Sequence, residues 1–116
     1  MPERNVFYTD EFQDQVLRLA KRYRHVRDDV EPVIEQVSRG ETPGDQLTRV
    51  ARPVFKVRVP NRDARRGKRG GYRMLYYLQT GQRVVLLALY SKSDQSDIEV
   101  REITRYLQAW EREHPQ

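Results

Sequence analysis

Seven consecutive apolar residues, Val84 to Tyr90, constrain this chain more than any other stretch. They are too few to span a membrane, which takes about 20. They are too uniformly apolar for a strand with one wet face, and they suit a central strand covered on both sides. Such a strand needs strand neighbours and a layer on each face, and the sequence before it supplies both. Tyr72 to Leu78 reads as a strand, joined to the apolar run by the short hairpin connection Thr80-Gly81-Gln82. Further back, Phe55, Val57 and Val59 alternate with Lys56 and Arg58. That period of two predicts a half-buried strand with one apolar and one cationic face, ended by Pro60-Asn61.

The N-terminal half has a different period. Asn5 to Tyr8 reads as a short first strand. Thr9 offers a hydroxyl N-cap, followed by Asp10 and Glu11, which suit the positive end of a helix dipole. Phe12, Val16, Leu19, Ala20 and Tyr23 then recur at helical spacing, with Lys21, Arg22 and Arg24 in the last turn. A second helix is predicted from Asp28 or Asp29, with Pro32 near its start, where a missing N–H costs little. Val30, Val33, Ile34 and Val37 form its stripe, and Gly40 is its stop. Glu41 to Asp45 is turn-rich. A last helix is predicted to begin near Asp94 to Asp97, with Ile98, Ile103, Tyr106, Leu107 and Trp110 inward. The expectation is a single α+β domain over residues 1–116, with a frayed tail from about residue 111. Its order is strand, helix, helix, strand, strand, strand, helix (βααβββα), an antiparallel meander sheet packed with helices.

Charge separates the chain into unequal parts. The segment Arg52–Arg73 holds nine basic residues against Asp63 alone, a charge of +8, whereas the rest of the chain is −3 and the total +5. Focused positive charge is the footprint of a nucleic-acid surface. With no cysteine in the chain, disulfides and thiolate metal sites are excluded, and a reducing, cytoplasmic setting is expected. Charged Met1-Pro2-Glu3-Arg4 leads into no apolar signal core, and no membrane association is expected.

The chemistry-bearing residues follow from this pattern. Lys56 and Arg58 share one side of their strand, and Arg73 lies opposite Tyr72 on the next. If these strands pair, the three cations converge. The loop from Asn61 to Gly71 would add Arg62, Arg65, Arg66, Lys68 and Arg69 at one rim, and Lys92 another cation past the end of the last strand. Such a set can grip a phosphodiester and stabilise the extra charge of its transition state. Tyr72, Tyr76, Tyr77 and Tyr90 could stack on unpaired bases, or serve as core. His25 and His114 pair with no carboxylate at ligand spacing, so neither a histidine site nor a metal or other cofactor is expected. Asp94, Asp97 and Glu99 most simply cap the last helix.

At this point the chain resembles a known family. Lys68-Arg69-Gly70-Gly71-Tyr72-Arg73-Met74-Leu75-Tyr76-Tyr77 resembles the G-x-R-x-x-Y-Y strand of RelE/HigB toxins. Leu86 to Asp97 resembles the strand and turn before their last helix, Pro43-Gly44 with Leu47 their central loop, and Lys56-Val57-Arg58 their basic strand. The likeness runs from Phe7 to Leu107 in the same element order, closest to the HigB-like branch.

That resemblance implies a RelE-like (microbial RNase-like) fold and a type II toxin. It implies ribosome-dependent cleavage of mRNA in the A site, beside 16S rRNA, by attack of the ribose 2′-hydroxyl on the adjacent phosphate. By position, Arg73 would contact the scissile phosphate, Lys56 or Arg58 would stabilise charge or move protons, and Lys92 would help hold the phosphate. A cognate antitoxin is implied as partner. Many members carry a tyrosine in the first turn of the last helix. Here Ile98 and Glu99 stand in that region, so the general base and acid stay open. Two other readings fit the same residues: a non-catalytic RNA-binding or degenerate toxin domain, and a ParE-like toxin that binds DNA gyrase.

Overall fold

The computed structural model describes residues 3–64 and 71–115. It is an α+β fold with the order β1 (Asn5–Tyr8), α1 (Asp10–Ala20), α2 (Val26–Ser38), β2 (Asp45–Gln46), β3 (Val54–Val59), β4 (Tyr72–Thr80), β5 (Arg83–Ser91) and α3 (Val100–Glu113). The five strands form one mixed sheet in the order β1-β5-β4-β3-β2. β3, β4 and β5 are the expected antiparallel meander. β1 adds to it in parallel, along β5. The two-residue β2, within a region read as loop, pairs with β3 through Asp45–Lys56 and Gln46–Phe55.

β4 and β5 are buried on both faces because a helical layer covers each. α1 and α2 place Phe12, Val16, Leu19, Val26, Val30, Val33 and Val37 against Val57, Val59, Tyr72, Met74, Tyr76, Val84, Leu86 and Leu89. On the other face α3 places Ile103, Tyr106, Leu107 and Trp110 against Val54, Leu75, Tyr77, Val85, Leu87, Ala88 and Tyr90. Burial at about 1.5–3 kcal/mol per large apolar side chain makes these two layers the main stabilising term.

A register shift in the β4–β5 ladder, where Leu75 faces Ala88 but Tyr76 faces Leu86, inserts an extra residue in β5. Leu87 and Ala88 consequently both belong to the α3 layer. A bulge of this kind resets the alternation of side chains. It puts Leu89 under α1 and turns Tyr90 to the α3 side, directly across from Arg73.

Helix boundaries follow local chemistry. Thr9 caps α1 as expected, its Oγ1 accepting from the Phe12 amide at 3.0 Å. α1 ends at Ala20, so Lys21 is its C-cap and Arg22 and Arg24 lie beyond it. α2 begins at Val26, two or three residues before the expected start, which leaves Pro32 inside it. α3 begins at Val100 rather than near Asp94 to Asp97, and the tail expected to fray is helical through Glu113. His114 stacks on Trp110 at 3.6 Å between centroids, and its carbonyl accepts from Gln79 at 2.8 Å. No helix among the described residues is long and apolar enough to cross a membrane.

Candidate functional site

The cations that the sequence places on β3 and β4 lie on the α3 side of the sheet, with Arg73 buried and Arg58 exposed. β3 is buried on the α1/α2 side by Val57 and Val59, so Lys56 and Arg58 emerge on the α3 side. The β3–β4 register sets Arg58 directly opposite Arg73, and the β4–β5 register sets Arg73 opposite Tyr90. The three residues expected to converge, Lys56, Arg58 and Arg73, therefore share one face.

Their environments differ. Arg73 is 8% exposed, and its Nη1 donates to the Tyr72 carbonyl at 3.2 Å. Arg58 is exposed, and its side chain makes no hydrogen bond or ion pair among the described residues. Like charges directly opposed across a sheet repel, and neither guanidinium has a carboxylate partner among the described residues. An open cleft of about 700 Å³ runs from this pair past Arg62 and Asn61 to Pro32 and Val33 of α2. Lys92 is exposed at the end of β5, its Nζ donating to the Ser96 carbonyl at 3.1 Å.

The segment between β5 and α3 brings one acid into this set. Asp97 Oδ1 accepts from the Ile98 amide at 2.8 Å, the Tyr90 hydroxyl at 3.2 Å and the Lys56 ammonium at 3.3 Å. Burial pushes its carboxyl up. The Ile98 amide, Lys56 and Tyr90 outweigh that and hold it below the usual aspartate range. Burial and the adjacent Asp97 push the Tyr90 phenol up to about 12. Asp97 was expected to be a helix cap, but Glu99 occupies the N-cap position and makes no side-chain cap bond. Asp94 instead pairs with Arg22 at 2.7 Å, tying the segment to the end of α1. Nothing local in the sequence distinguishes Asp97 from its acidic neighbours Asp94 and Glu99.

Two other expectations change. Tyr72, Tyr76 and Tyr77 are fully buried and Tyr90 is 5% exposed, so their rings are core and offer no free face to a base. Only the Tyr90 hydroxyl reaches the site. His25, expected to lack a carboxylate partner, holds one from a distant part of the chain: its Nδ1 lies 2.7 Å from Asp63 Oδ1, and its amide donates to Asp63 Oδ2 at 2.8 Å. Next to it Arg62 donates through Nε and its amide to the buried Asp29, at 2.9 and 3.1 Å. These contacts fasten the root of the basic loop to the start of α2. Arg62 is thus partly committed to structure, although its side chain stays 58% exposed. Arg65, Arg66, Lys68 and Arg69 lie outside the described residues.

The element order, the cationic strand pair and the Gly71-Tyr72-Arg73 strand entry are joined by an independent match. A family model described as the RelE toxin of the RelE/RelB toxin–antitoxin system matches residues 5–112, nearly the whole chain. The match takes in every strand and all but the last residue of α3, along with each described residue of the site, and the chain accordingly belongs to the RelE toxin family, the toxins of RelE/RelB toxin–antitoxin systems.

Proposed function

We propose that this toxin is a ribosome-dependent mRNA endoribonuclease that inhibits translation by cleaving mRNA in the A site. The bond would break by attack of the ribose 2′-hydroxyl on the neighbouring phosphate. The observation that carries the reading is the Arg58–Arg73 pair, two cations set opposite each other with no acid between them. An anion bridging them relieves their repulsion. A phosphorane-like transition state, with one more negative charge than the substrate, relieves it further. Lys56 and Lys92 extend the same face, and Arg62 stands at the rim of the adjoining cleft. Arg65, Arg66, Lys68 and Arg69 would add phosphate contacts that position RNA without reading its sequence. Family membership implies a cognate antitoxin. A cationic face of this kind is complementary to an acidic partner segment.

The test is primer extension on a reporter mRNA after brief induction of the wild type, Arg73→Ala and Arg58→Ala. Discrete cuts from the wild type that fall by at least about 100-fold in Arg73→Ala support the reading. Arg58→Ala, exposed in the fold, supplies a variant whose folding is not at issue. Folding of Arg73→Ala is checked by circular dichroism. A well-expressed wild type that makes no cuts removes the nuclease reading. Salt-dependent RNA affinity without products would then mark a binder.

A further inference from the structure

We propose that Asp97 is the general base of this site, taking the proton of the ribose 2′-hydroxyl as that oxygen attacks the phosphate. The inference rests on the nuclease reading above and assigns the proton acceptor which that reading leaves open.

Attack by a hydroxyl needs a group that can accept its proton, and the face offers few. Arg58 and Arg73 are cations with no acceptor atom. The Tyr90 hydroxyl is kept protonated by burial and donates to Asp97. Both histidines are elsewhere, His25 on Asp63 and His114 against Trp110. Asp94 is bound to Arg22. Lys92 faces the Ser96 carbonyl. Lys56 gives a hydrogen bond to Asp97 itself. Asp29, beside the adjoining cleft, is buried and held by Arg62, and Asp45, across from Lys56 in the sheet, makes no side-chain bond to it among the described residues. Among the described residues, Asp97 is the carboxylate hydrogen-bonded to Lys56.

Its geometry suits the task. All three donors converge on Oδ1, which fixes the carboxylate in orientation. Oδ2 receives no hydrogen bond among the described residues, and the side chain is 63% exposed. One oxygen is anchored and the other is left without a hydrogen bond among the described residues, on a carboxylate joined to Lys56 and Tyr90 of the cationic face. The donors that anchor it also keep it ionised through neutral pH.

The step balances. The 2′-hydroxyl proton passes to Asp97 Oδ2 as the O2′–P bond forms. The O5′–P bond breaks, and the leaving O5′ takes a proton from the Lys56 ammonium. Asp97 Oδ2, on an exposed side chain, then gives its proton to water, and Lys56 takes one up from water. The products are a 2′,3′-cyclic phosphate and a 5′-hydroxyl, and the protein ends in its starting state.

The experiment is single-turnover cleavage of mRNA on programmed ribosomes by wild type and Asp97→Asn, over about pH 6 to 8, with complex binding measured alongside. Asparagine keeps an Oδ1 that can accept from Ile98 and Tyr90, so it preserves the local scaffold and removes the proton acceptor. Asp97→Asn is expected to slow cleavage at least about 100-fold with binding unchanged. The wild-type rate is expected to be flat across the range, because a carboxylate below its usual pKa is ionised throughout. Cleavage by Asp97→Asn within about threefold of wild type would overturn the assignment and leave the nuclease reading standing. A wild-type rate rising about tenfold per pH unit would do the same, since it reports a base of higher pKa. A wild type that does not cleave would sink the nuclease reading, and the assignment with it.

Discussion

At Gly44 a single hydrogen atom decides where Lys56 can lie. Gly44 sits at φ +90, and a Cβ there would collide with the backbone carbonyl of Lys56. Any L residue is strained at that angle, and the collision would also push β2 from β3, where Asp45 faces Lys56. Gly44→Ala is therefore expected to cost at least about 1–2 kcal/mol in urea denaturation. It is also expected to reduce cleavage, by displacing the lysine from Asp97. Gly81 is the control: a Cβ there meets nothing within 4 Å. Gly81→Ala should stay within about 0.5 kcal/mol of wild type. A Gly44→Ala cost no larger than that of Gly81→Ala would show that the close approach to Lys56 does not restrict Gly44. The Pro43-Gly44 pair was legible as a turn. Its contact with Lys56 was not, because nothing local in the sequence says which strand the turn will meet.

α3 shows how far periodicity carries a reading and where it stops. Its apolar stripe named Ile103, Tyr106, Leu107 and Trp110 correctly, since burial on one face imposes the spacing. The start was misplaced because Asp94 and Asp97 look like caps and are instead held by tertiary partners, Arg22 and Lys56 with Tyr90. β5 has the same limit. Its apolar run announced a strand covered on both sides, but the bulge that turns Tyr90 toward Arg73 leaves no mark in a sequence that is apolar at every step. The cationic side of β3 was legible because alternation with valine fixes it. The partnership of His25 with Asp63 was hidden by a separation of 38 residues. At the far end of α3, Trp110 is 7% exposed, donates to Gln79 at 3.0 Å and stacks on His114. Trp110→Ala is expected to lose about 3–5 kcal/mol, read as a lower urea midpoint. The arginine pair is formed by β3 and β4 and should retain its register in whatever fraction stays folded. A loss below about 1 kcal/mol would mean that α3 is held mainly by the segment around Asp97 and only weakly by its apolar face.

Taken whole, the molecule keeps acids ionised and phenols neutral, and this sets the pH range in which it is stable. Asp63, Asp97 and Glu111 all lie below the usual carboxylate range. For Asp63 the cause is the His25 ring and amide. For Asp97 and Glu111 burial opposes the shift, but Ile98 and Lys56 in one case, Arg52 and Tyr77 in the other, outweigh it. A carboxyl depressed in the fold contributes stability that is present above its unfolded pKa, about 4, and is lost as pH falls through the folded value. The tyrosines act at the other end. Burial pushes Tyr72 and Tyr76 well up, and Tyr77 and Tyr90 to about 12, with Glu111 and Asp97 reinforcing the last two. A group raised in the fold contributes stability present below its unfolded pKa, about 10 for a phenol, and lost as pH rises through the folded value. The thermal midpoint is therefore expected to hold level from about pH 5 to 9 and to fall on both sides. Glu111→Gln should lower the plateau, because Arg52 and Tyr77 lose a charged acceptor at 2.9 and 2.7 Å, and should make the acid limb shallower. An acid limb unchanged by Glu111→Gln would assign acid unfolding to other carboxylates. Tyr77→Phe keeps the buried ring and removes the ionisable group, so it should make the alkaline limb shallower; because it also removes one of the two donors that depress Glu111, it should make the acid limb somewhat shallower, by less than Glu111→Gln does. A plateau that ends near neutral pH on the alkaline side would contradict the burial of the four phenols, which is what places both helical layers against the sheet.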